Sequence, residues 1–170
     1  MKTLYWKQKS WGSRAYDTFA DGLHVGNLAF GSWFSYDAAY TSAKGTFVFK
    51  QQGWFDQDVE ILYNGEQVAV AHTSVFGNTR IQLSNGENYM LTSKTLSRDV
   101  TIKDMAGNTC VMFKQATFSF GKGILLINSD LPELTSEMLT SAGLYLKIMM
   151  ESKVAIMVVI FFPILMRMFD

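Results

Sequence analysis

Three consecutive segments decide the fold: VEILYNGEQVAVA at residues 59–71, RIQLSNGENYML at residues 80–91 and VTIKDMAGNTCVMFK at residues 100–114. Each has a turn signal near its centre, Asn-Gly in the first two and Ala-Gly-Asn in the third, between runs rich in β-branched and aromatic residues. Asn-Gly favours positive φ at both central positions of a turn, which suits the right-handed twist of paired strands. The three segments therefore predict three successive β-hairpins.

Within these segments, apolar side chains alternate with polar ones. Val59, Ile61 and Tyr63 alternate with Asp58 and Glu60, for example. Successive side chains of a strand point to opposite faces of a sheet, so one face is predicted to be buried and the other solvated. Single-sided burial is typical of the antiparallel sheets of sandwiches and barrels.

Further strand-like runs lie on both sides of the hairpins. They cover residues 3–9, 16–21, 23–30, 46–51, 117–120 and 123–128. With the six hairpin strands they make about twelve short strands joined by glycine-centred turns. Because closure removes the exposed edges of a sheet, we predict an all-β domain with a C-terminal helix, a roughly twelve-stranded antiparallel closed barrel around a hydrophobic helix.

After Asn128 the apolar residues adopt helical spacing. Asp130 is placed to cap a helix whose first turn holds Pro132 and Glu133, a favourable start for a helix. The apolar positions that follow are Leu134, Met138, Ala142, Tyr145 and Met149. Residues 154–166 carry no charge apart from their flanks and are apolar on every side, so they must be buried in protein or lipid.

The C-terminal helix is too long for the barrel. A helix over residues 133–168 would be about 54 Å long, well beyond the height of a barrel of roughly five- to six-residue strands. Pro163 is expected to bend or end it near Phe162. One apolar segment, shorter than the roughly 20 residues of a bilayer span, is thus left over for lipid, a second subunit or the outer wall. The residues assigned to this contact are Val154, Met157, Ile160, Phe161 and Leu165.

The charge and cysteine content indicate which classes of function and which compartment fit the chain. Fifteen basic and fifteen acidic residues give a net charge of +0, which argues against a general nucleic-acid binder. Cys110 is the only cysteine, so no internal disulfide forms and a reducing compartment fits. The first ten residues do not have the pattern of a secretory signal. We expect a cytoplasmic protein, with any membrane association through the C-terminus.

No group of residues has the spacing of a catalytic or cofactor site. His24 and His72 lack the cysteine or histidine neighbours of a zinc site. Asp56, Asp58 and Glu60 fall at alternate positions and would share one strand face, which makes them weak candidates for a metal site. The glycine turn and the later acidic ligand of a calcium loop are missing, however, so a solvated face explains these acids better. We expect a non-enzymatic protein without a cofactor or metal.

The quoted hairpins, followed by GILLIN at residues 123–128 and an apolar helix, resemble the tubby C-terminal-like superfamily, especially its LURP-one-related and phospholipid-scramblase-like branch. The resemblance covers residues 47–150 and lies in the order of elements and the hairpin pattern rather than in a diagnostic motif. It implies a tubby-like barrel with its central helix over residues 1–150. Residues 151–170 would then be an apolar C-terminal extension that contacts a membrane, an oligomer or the barrel.

Two segments compete for the interior of the barrel. The resemblance implies that the helix directly after the last strand, residues 131–150, threads the barrel. Residues 154–166 are apolar all round, as a helix enclosed by a barrel wall should be. We favour chain order, because Ser136, Thr140 and Ser141 are small and can bond the carbonyls of their own helix.

The resemblance also implies a function. Tubby-like domains are associated with phosphoinositide binding through basic surface residues, and Lys7, Lys9 and Arg14 are the nearest candidates here. We therefore expect a membrane- or phospholipid-associated binding module whose partner is an anionic phospholipid or a membrane surface. The alternative is a soluble structural or protein-interaction domain whose apolar tail is buried in its own barrel or in a homo-oligomer.

Overall fold

The chain forms a closed barrel of twelve antiparallel strands around a single described helix. The computed structural model describes residues 1–31, 36–52, 58–74, 78–93, 98–115, 119 and 121–168, with the side chains of the helix described as far as residue 153. The elements are β1 (Lys2–Gln8), β2 (Ala15–Ala20), β3 (Leu23–Phe30), β4 (Ala38–Ser42), β5 (Thr46–Gln51), β6 (Asp58–Tyr63), β7 (Glu66–Thr73), β8 (Thr79–Leu83), β9 (Asn88–Ser93), β10 (Val100–Asp104), β11 (Thr109–Lys114), β12 (Lys122–Ile127) and α1 (Glu133–Met168). Each strand pairs with its neighbours in the chain, and β12 pairs with β1 to close the cylinder. The predicted fold class is confirmed.

The two Asn-Gly turns have different geometries. At Asn64 and Gly65 both central residues have positive φ, 50° and 93°, as expected for the two-residue connection between β6 and β7. The second Asn-Gly lies in a four-residue connection, of whose residues only Gly86 has positive φ, 92°. There the Asn85 side chain accepts a hydrogen bond from the Glu87 amide at 3.0 Å. This Asx turn replaces the expected pair of positive φ values.

Two strand assignments differ from the sequence expectation. Strand β4, with the sequence AAYTS, is not among the strands that the sequence predicts; it begins with two alanines, which are poor strand formers, and β3 and β5 pair with it on either side. Of the strand expected at residues 117–120, only Ser119 is among the described residues, and it is not in a strand. Propensity is a weak guide where neighbouring strands supply the hydrogen bonds.

The helix threads the barrel with its first half. Residues 138–149 are all buried, so the threading segment is the one that chain order favours. The wall surrounds this segment, and its polar members Thr140, Ser141 and Lys147 are buried as well. Ser141 Oγ donates to the Met138 carbonyl at 3.1 Å, which is the predicted way for a small hydroxyl to be buried inside a helix bundle or barrel.

The helix defines two ends of the barrel. The helix begins at the basal end, where Lys44 Nζ in the β4–β5 turn donates to Glu133 Oε1 at 2.5 Å. At the apical end it leaves, and Lys147 Nζ donates to the Arg98 carbonyl, in the β9–β10 connection, at 2.8 Å. The helix therefore passes through the full height of the barrel.

Pro163 does not end the helix, which is one of the two effects that the sequence predicts for it. Helix α1 continues to Met168 and has 36 residues, about 54 Å at 1.5 Å per residue. A proline removes one amide donor, but the remaining hydrogen bonds of the helix can still form. Residues 154–168 therefore continue the helix on the apical side, about 10 Å or more beyond Lys147.

Gly143 lets the helix pass close to strands β10 and β11. A Cβ at this position would lie 2.6 Å from the Phe113 ring and 2.8 Å from Ile102 Cδ1, and both side chains are buried. Overpacking costs about 1–3 kcal/mol, which exceeds the ~1 kcal/mol that alanine gains over glycine in a helix. We expect Gly143→Ala to lower the midpoint of urea unfolding. A higher midpoint would show that the Phe113 ring moves aside at no cost.

Candidate functional site

A groove of about 810 Å³ lies on the barrel wall where β11 and β12 separate. The ladder between these strands stops at Lys114 and Ile124. Strand β12 reaches further, and it pairs with β1 as far as Lys7 and Lys122. We call this opening the basic groove, and its lining includes the side chains of Tyr5, Lys7, Phe19, Lys114, Lys122 and Ile124.

Alternation along β1 places apolar and basic side chains at the basic groove. Tyr5 and Lys7 are exposed, whereas Trp6 between them is 1% exposed and faces the interior. Tyr5 lies opposite Ile124 in one ladder and opposite Phe19 in the other. Tyr5 is 50% exposed and Ile124 is 39% exposed. These side chains form an apolar wall that a ligand can reach from solvent.

The three lysines give the groove a positive charge. Lys7 and Lys122 are directly opposite each other in the ladder, where like charges repel. None of Lys7, Lys114 and Lys122 has an ion-pair partner within the described ranges. Asp99 also lines the groove, and its Oδ1 accepts a hydrogen bond from the Gln115 amide at 3.1 Å. An anion between the lysines would relieve their mutual repulsion.

Two buried polar atoms of groove-lining residues have no hydrogen-bond partner among the described residues. They are Trp6 Nε1, a donor, and Gln115 Oε1, an acceptor. Gln115 is 8% exposed, and its Nε2 donates to the Ser119 carbonyl at 2.5 Å, so Oε1 is the uncommitted atom. Leaving a buried polar atom unpaired costs about 1–3 kcal/mol. A ligand that bonds to these atoms would recover part of that cost.

Gly123 allows the Trp6 indole to lie against strand β12. A Cβ at position 123 would be 2.7 Å from Trp6 Nε1 and 2.6 Å from the Lys114 carbonyl oxygen. Real Cβ atoms do not approach heavy atoms this closely, so a larger residue would displace the indole or widen the wall. The glycine thus leaves room for the buried indole against strand β12.

The predicted lipid-binding residues lie in different surroundings. Lys7 is in the basic groove. Lys9 is exposed in the β1–β2 connection, where its amide donates to the Ala15 carbonyl at 2.8 Å. The Arg14 guanidinium lies 4.8 Å from the centre of the Phe30 ring. Of these three residues, only Lys7 therefore lines the groove beside the apolar wall and Trp6.

Sequence reasoning missed Lys114 and Lys122. They lie far from Lys7 along the chain, and only the closure of β12 on β1 brings the three together. The available signal was the outward register of these lysines, since Lys114 is exposed next to buried Phe113 and Lys122 is exposed next to half-buried Gly123. That register identifies a surface lysine but not its neighbours.

The weak metal candidates do not converge. Asp58 Oδ2 lies 2.9 Å from His72 Nδ1 on the neighbouring strand, and Glu60 is opposite Lys50 in the β5–β6 ladder. Asp56 lies outside the described residues. The described part of the chain contains no group of three histidine, cysteine or acidic residues arranged to hold a metal ion.

The residues assigned to a membrane or partner contact all lie on the last part of α1. Val154, Met157, Ile160, Phe161 and Leu165 have helical backbone, and their side chains lie outside the described residues. Over the portion of the chain that was described, no helix has the length and hydropathy of a membrane span.

Comparisons with protein-family models, curated proteins and solved structures found no match.

Proposed function

We propose that the chain is a non-enzymatic binding module that attaches to a membrane surface and holds the headgroup of an anionic phospholipid in the basic groove. One observation carries the proposal: three lysines without described ion-pair partners border an apolar wall and a buried, unpartnered indole donor. This combination suits a ligand that is anionic at one end and apolar at the other.

The polar groups of the groove match a phosphate or carboxylate. Lys7, Lys114 and Lys122 supply charge, and lysine is a common point-charge partner of phosphate. Trp6 Nε1 supplies a neutral donor that would otherwise stay unpaired. Cations and a donor around an apolar wall support binding rather than chemistry, because catalysis also needs a nucleophile or an acid–base pair.

The apolar wall matches the rest of a lipid. Tyr5, Phe19 and Ile124 lie side by side on β1, β2 and β12. Tyr5 has an apolar ring and a polar tip, as is common for side chains at membrane interfaces. The glycerol and first methylene groups of a lipid would pack against this wall.

The position of the groove agrees with attachment through the C-terminus. Lys114 and Lys122 lie next to the β11–β12 connection, at the apical end where α1 leaves the barrel. Trp11, in the β1–β2 connection at the same end, is 100% exposed. With residues 154–166 in the bilayer, the apical end would face the headgroups, and the proposed location is the cytoplasmic face of a membrane.

The test compares the affinity of the full chain for vesicles of phosphatidylcholine alone and vesicles that also contain phosphatidylserine. The ratio of the two affinities removes the contribution of the apolar tail. Replacing Lys7, Lys114 and Lys122 with glutamine should lower the ratio roughly 100-fold, at about 1 kcal/mol for each lysine near an anionic surface. Co-sedimentation over a lipid titration measures it.

A matched variant separates the groove from net charge. It carries glutamine at Lys2, Lys50 and Lys103, three exposed lysines that do not line the groove. This variant should keep the phosphatidylserine preference within about 3-fold of the unmodified chain. Equal losses in the two triple variants would contradict the proposal and indicate non-specific attraction.

A second arm distinguishes a lipid headgroup from a free anion. Dihexanoyl phosphatidylserine below its micelle concentration and inorganic phosphate are each titrated into the full chain while the tryptophan fluorescence is followed. The proposal expects a saturable change with the short-chain lipid that the groove variant loses. A response to inorganic phosphate of equal affinity would replace the phospholipid with a simple anion as the ligand.

A further inference from the structure

A second cavity, of about 820 Å³, lies at the basal end of the barrel. It is bounded by the first turns of α1 and by strands β1, β3 and β4. We call it the basal pocket, and the residues that matter for its chemistry are Tyr40, Lys44, Glu133, Glu137 and Thr140. It is at the opposite end from the helix exit and has no lining residue in common with the basic groove.

Glu137 brings a buried carboxylate into this pocket. Its side chain is 12% exposed, and Oε2 is buried without a hydrogen-bond partner in the described part of the chain. Lys44 Nζ forms an ion pair with Oε2 at 3.7 Å, a distance longer than a hydrogen bond. Lys44 instead donates to Glu133 Oε1 at 2.5 Å, and this hydrogen bond raises the pKa of Lys44. Lys44 is thus held mainly by Glu133 at the rim.

Thr140 adds a second unpartnered oxygen one helical turn further on. It is 2% exposed, and its Oγ1 has no partner among the residues that the structure describes. Its neighbour Ser141 bonds a carbonyl of the helix, whereas Thr140 does not. Residues three apart lie on the same face of a helix, so the oxygens of Glu137 and Thr140 are neighbours.

The Tyr40 hydroxyl oxygen can accept a hydrogen bond, because its own proton is already used in a bond to Thr18. Thr18 Oγ1 donates its single proton to the Gly26 carbonyl at 3.0 Å. The 2.9 Å hydrogen bond between Thr18 and Tyr40 must then use the Tyr40 proton, which leaves the lone pairs of the phenolic oxygen uncommitted. Burial, and less strongly the Glu137 charge, raise the pKa of Tyr40, so the phenol stays protonated at neutral pH.

We propose that the basal pocket binds a small organic ammonium ion, with its N–H groups directed to Glu137, Thr140 and Tyr40. An ammonium group has three donors and no acceptor, which matches three acceptor oxygens. The Glu137 carboxylate, which Lys44 reaches only at 3.7 Å, supplies the counter-charge that a desolvated cation needs. A hard metal ion fits less well, since it requires six or more oxygen ligands with several carboxylates.

The test titrates ethylammonium chloride into the full chain in non-ionic detergent micelles and measures saturation-transfer NMR signals of the ethyl group. The unmodified chain should bind saturably. Glu137→Gln, which keeps the shape of the side chain and removes its charge, should weaken binding about 10-fold or more. Glu66→Gln is the matched control, since Glu66 is an exposed glutamate of β7 that does not line the pocket, and it should change affinity less than about 3-fold.

Two further measurements keep the outcome decisive. Thr140→Val removes only the hydroxyl and should also weaken ethylammonium binding, which covers the case in which Glu137→Gln does not fold. Tetramethylammonium, which has no N–H group, should bind more weakly than ethylammonium. The proposal is overturned if ethylammonium does not saturate, if Glu137→Gln binds it unchanged, or if acetate binds better than ethylammonium. The basic-groove variant should bind ethylammonium normally, so this proposal and the proposed function can fail separately.

Discussion

Replacing Tyr145 with alanine is expected to lower the free energy of unfolding by about 3–5 kcal/mol, the range for large aromatic residues in a core. Tyr145 is 0% exposed at the centre of the threading segment. Its ring stacks on Phe49 at 4.6 Å between centroids and on Phe30 at 5.6 Å. The substitution removes both ring contacts and leaves a cavity between the helix and the wall. Urea unfolding followed by circular dichroism measures the change.

Tyr145→Phe is the matched control for this prediction. The Tyr145 hydroxyl is buried and has no hydrogen-bond partner in the described residues, and burial raises the pKa of Tyr145. Removing an unpartnered buried hydroxyl relieves a desolvation cost, so Tyr145→Phe should equal or exceed the original stability. If Tyr145→Phe destabilises as much as Tyr145→Ala, the hydroxyl has a partner and the ring stacking is not the main contribution.

Deleting residues 154–170 is expected to release the protein from membranes while leaving the barrel folded. The threading segment, residues 138–149, stays intact, and it supplies the buried side chains of the described part of the helix. The deleted part includes five apolar residues assigned to the membrane contact: Val154, Met157, Ile160, Phe161 and Leu165. At about 1.5–3 kcal/mol for each buried apolar side chain, its removal should lower vesicle affinity by more than ~100-fold.

The measurement for the tail deletion is vesicle flotation together with a thermal melt of the same preparation. A chain whose residues 154–168 are replaced by a polar helical sequence keeps the helix length and serves as the control. It should melt like the full chain and fail to float. The alternative function, a soluble domain whose tail is covered by a twin subunit, expects instead that the deletion converts a dimer to a monomer or unfolds the barrel.

The hairpins were predictable because their determinants are local. The turn at Asn64 and Gly65 and the alternation of Val59, Ile61 and Tyr63 depend on neighbours a few residues away. Strand β4 was not predictable in this way. Its pairing comes from β3 and β5 on either side, and the burial of Tyr40 comes from its position in the closed barrel rather than from its own pattern.

Hydropathy alone does not predict which segment of the helix threads the barrel. Among the described side chains of the helix, the enclosed run is residues 138–149, which is less apolar than residues 154–166. The enclosed run contains Thr140, Ser141 and Lys147, and specific hydrogen bonds accommodate Ser141 and Lys147. Lys147, for example, donates to the Arg98 carbonyl and to Glu151. Such compensation depends on residues distant in the chain, so average hydropathy does not report it.

The candidate sites also contain some residues that the sequence identifies and others that only the structure identifies. From the resemblance, Lys7 was named as a lipid-binding candidate, but its partners in the basic groove, Lys114 and Lys122, were not. In the basal pocket, Glu137 and Thr140 carry no motif, and their significance comes from oxygen atoms that the surrounding wall leaves without partners. An unpaired buried atom is a property of the assembled structure and has no signature in sequence spacing.

By itself the sequence determined the three central hairpins and the presence of a helix longer than the barrel it follows, because these depend on local propensity and on chain length. Only the tertiary structure decided which half of the helix is enclosed and which side chains meet at the two pockets. The physical reason is closure: pairing β12 with β1 joins residues from the two ends of the chain and fixes which polar atoms are cut off from water.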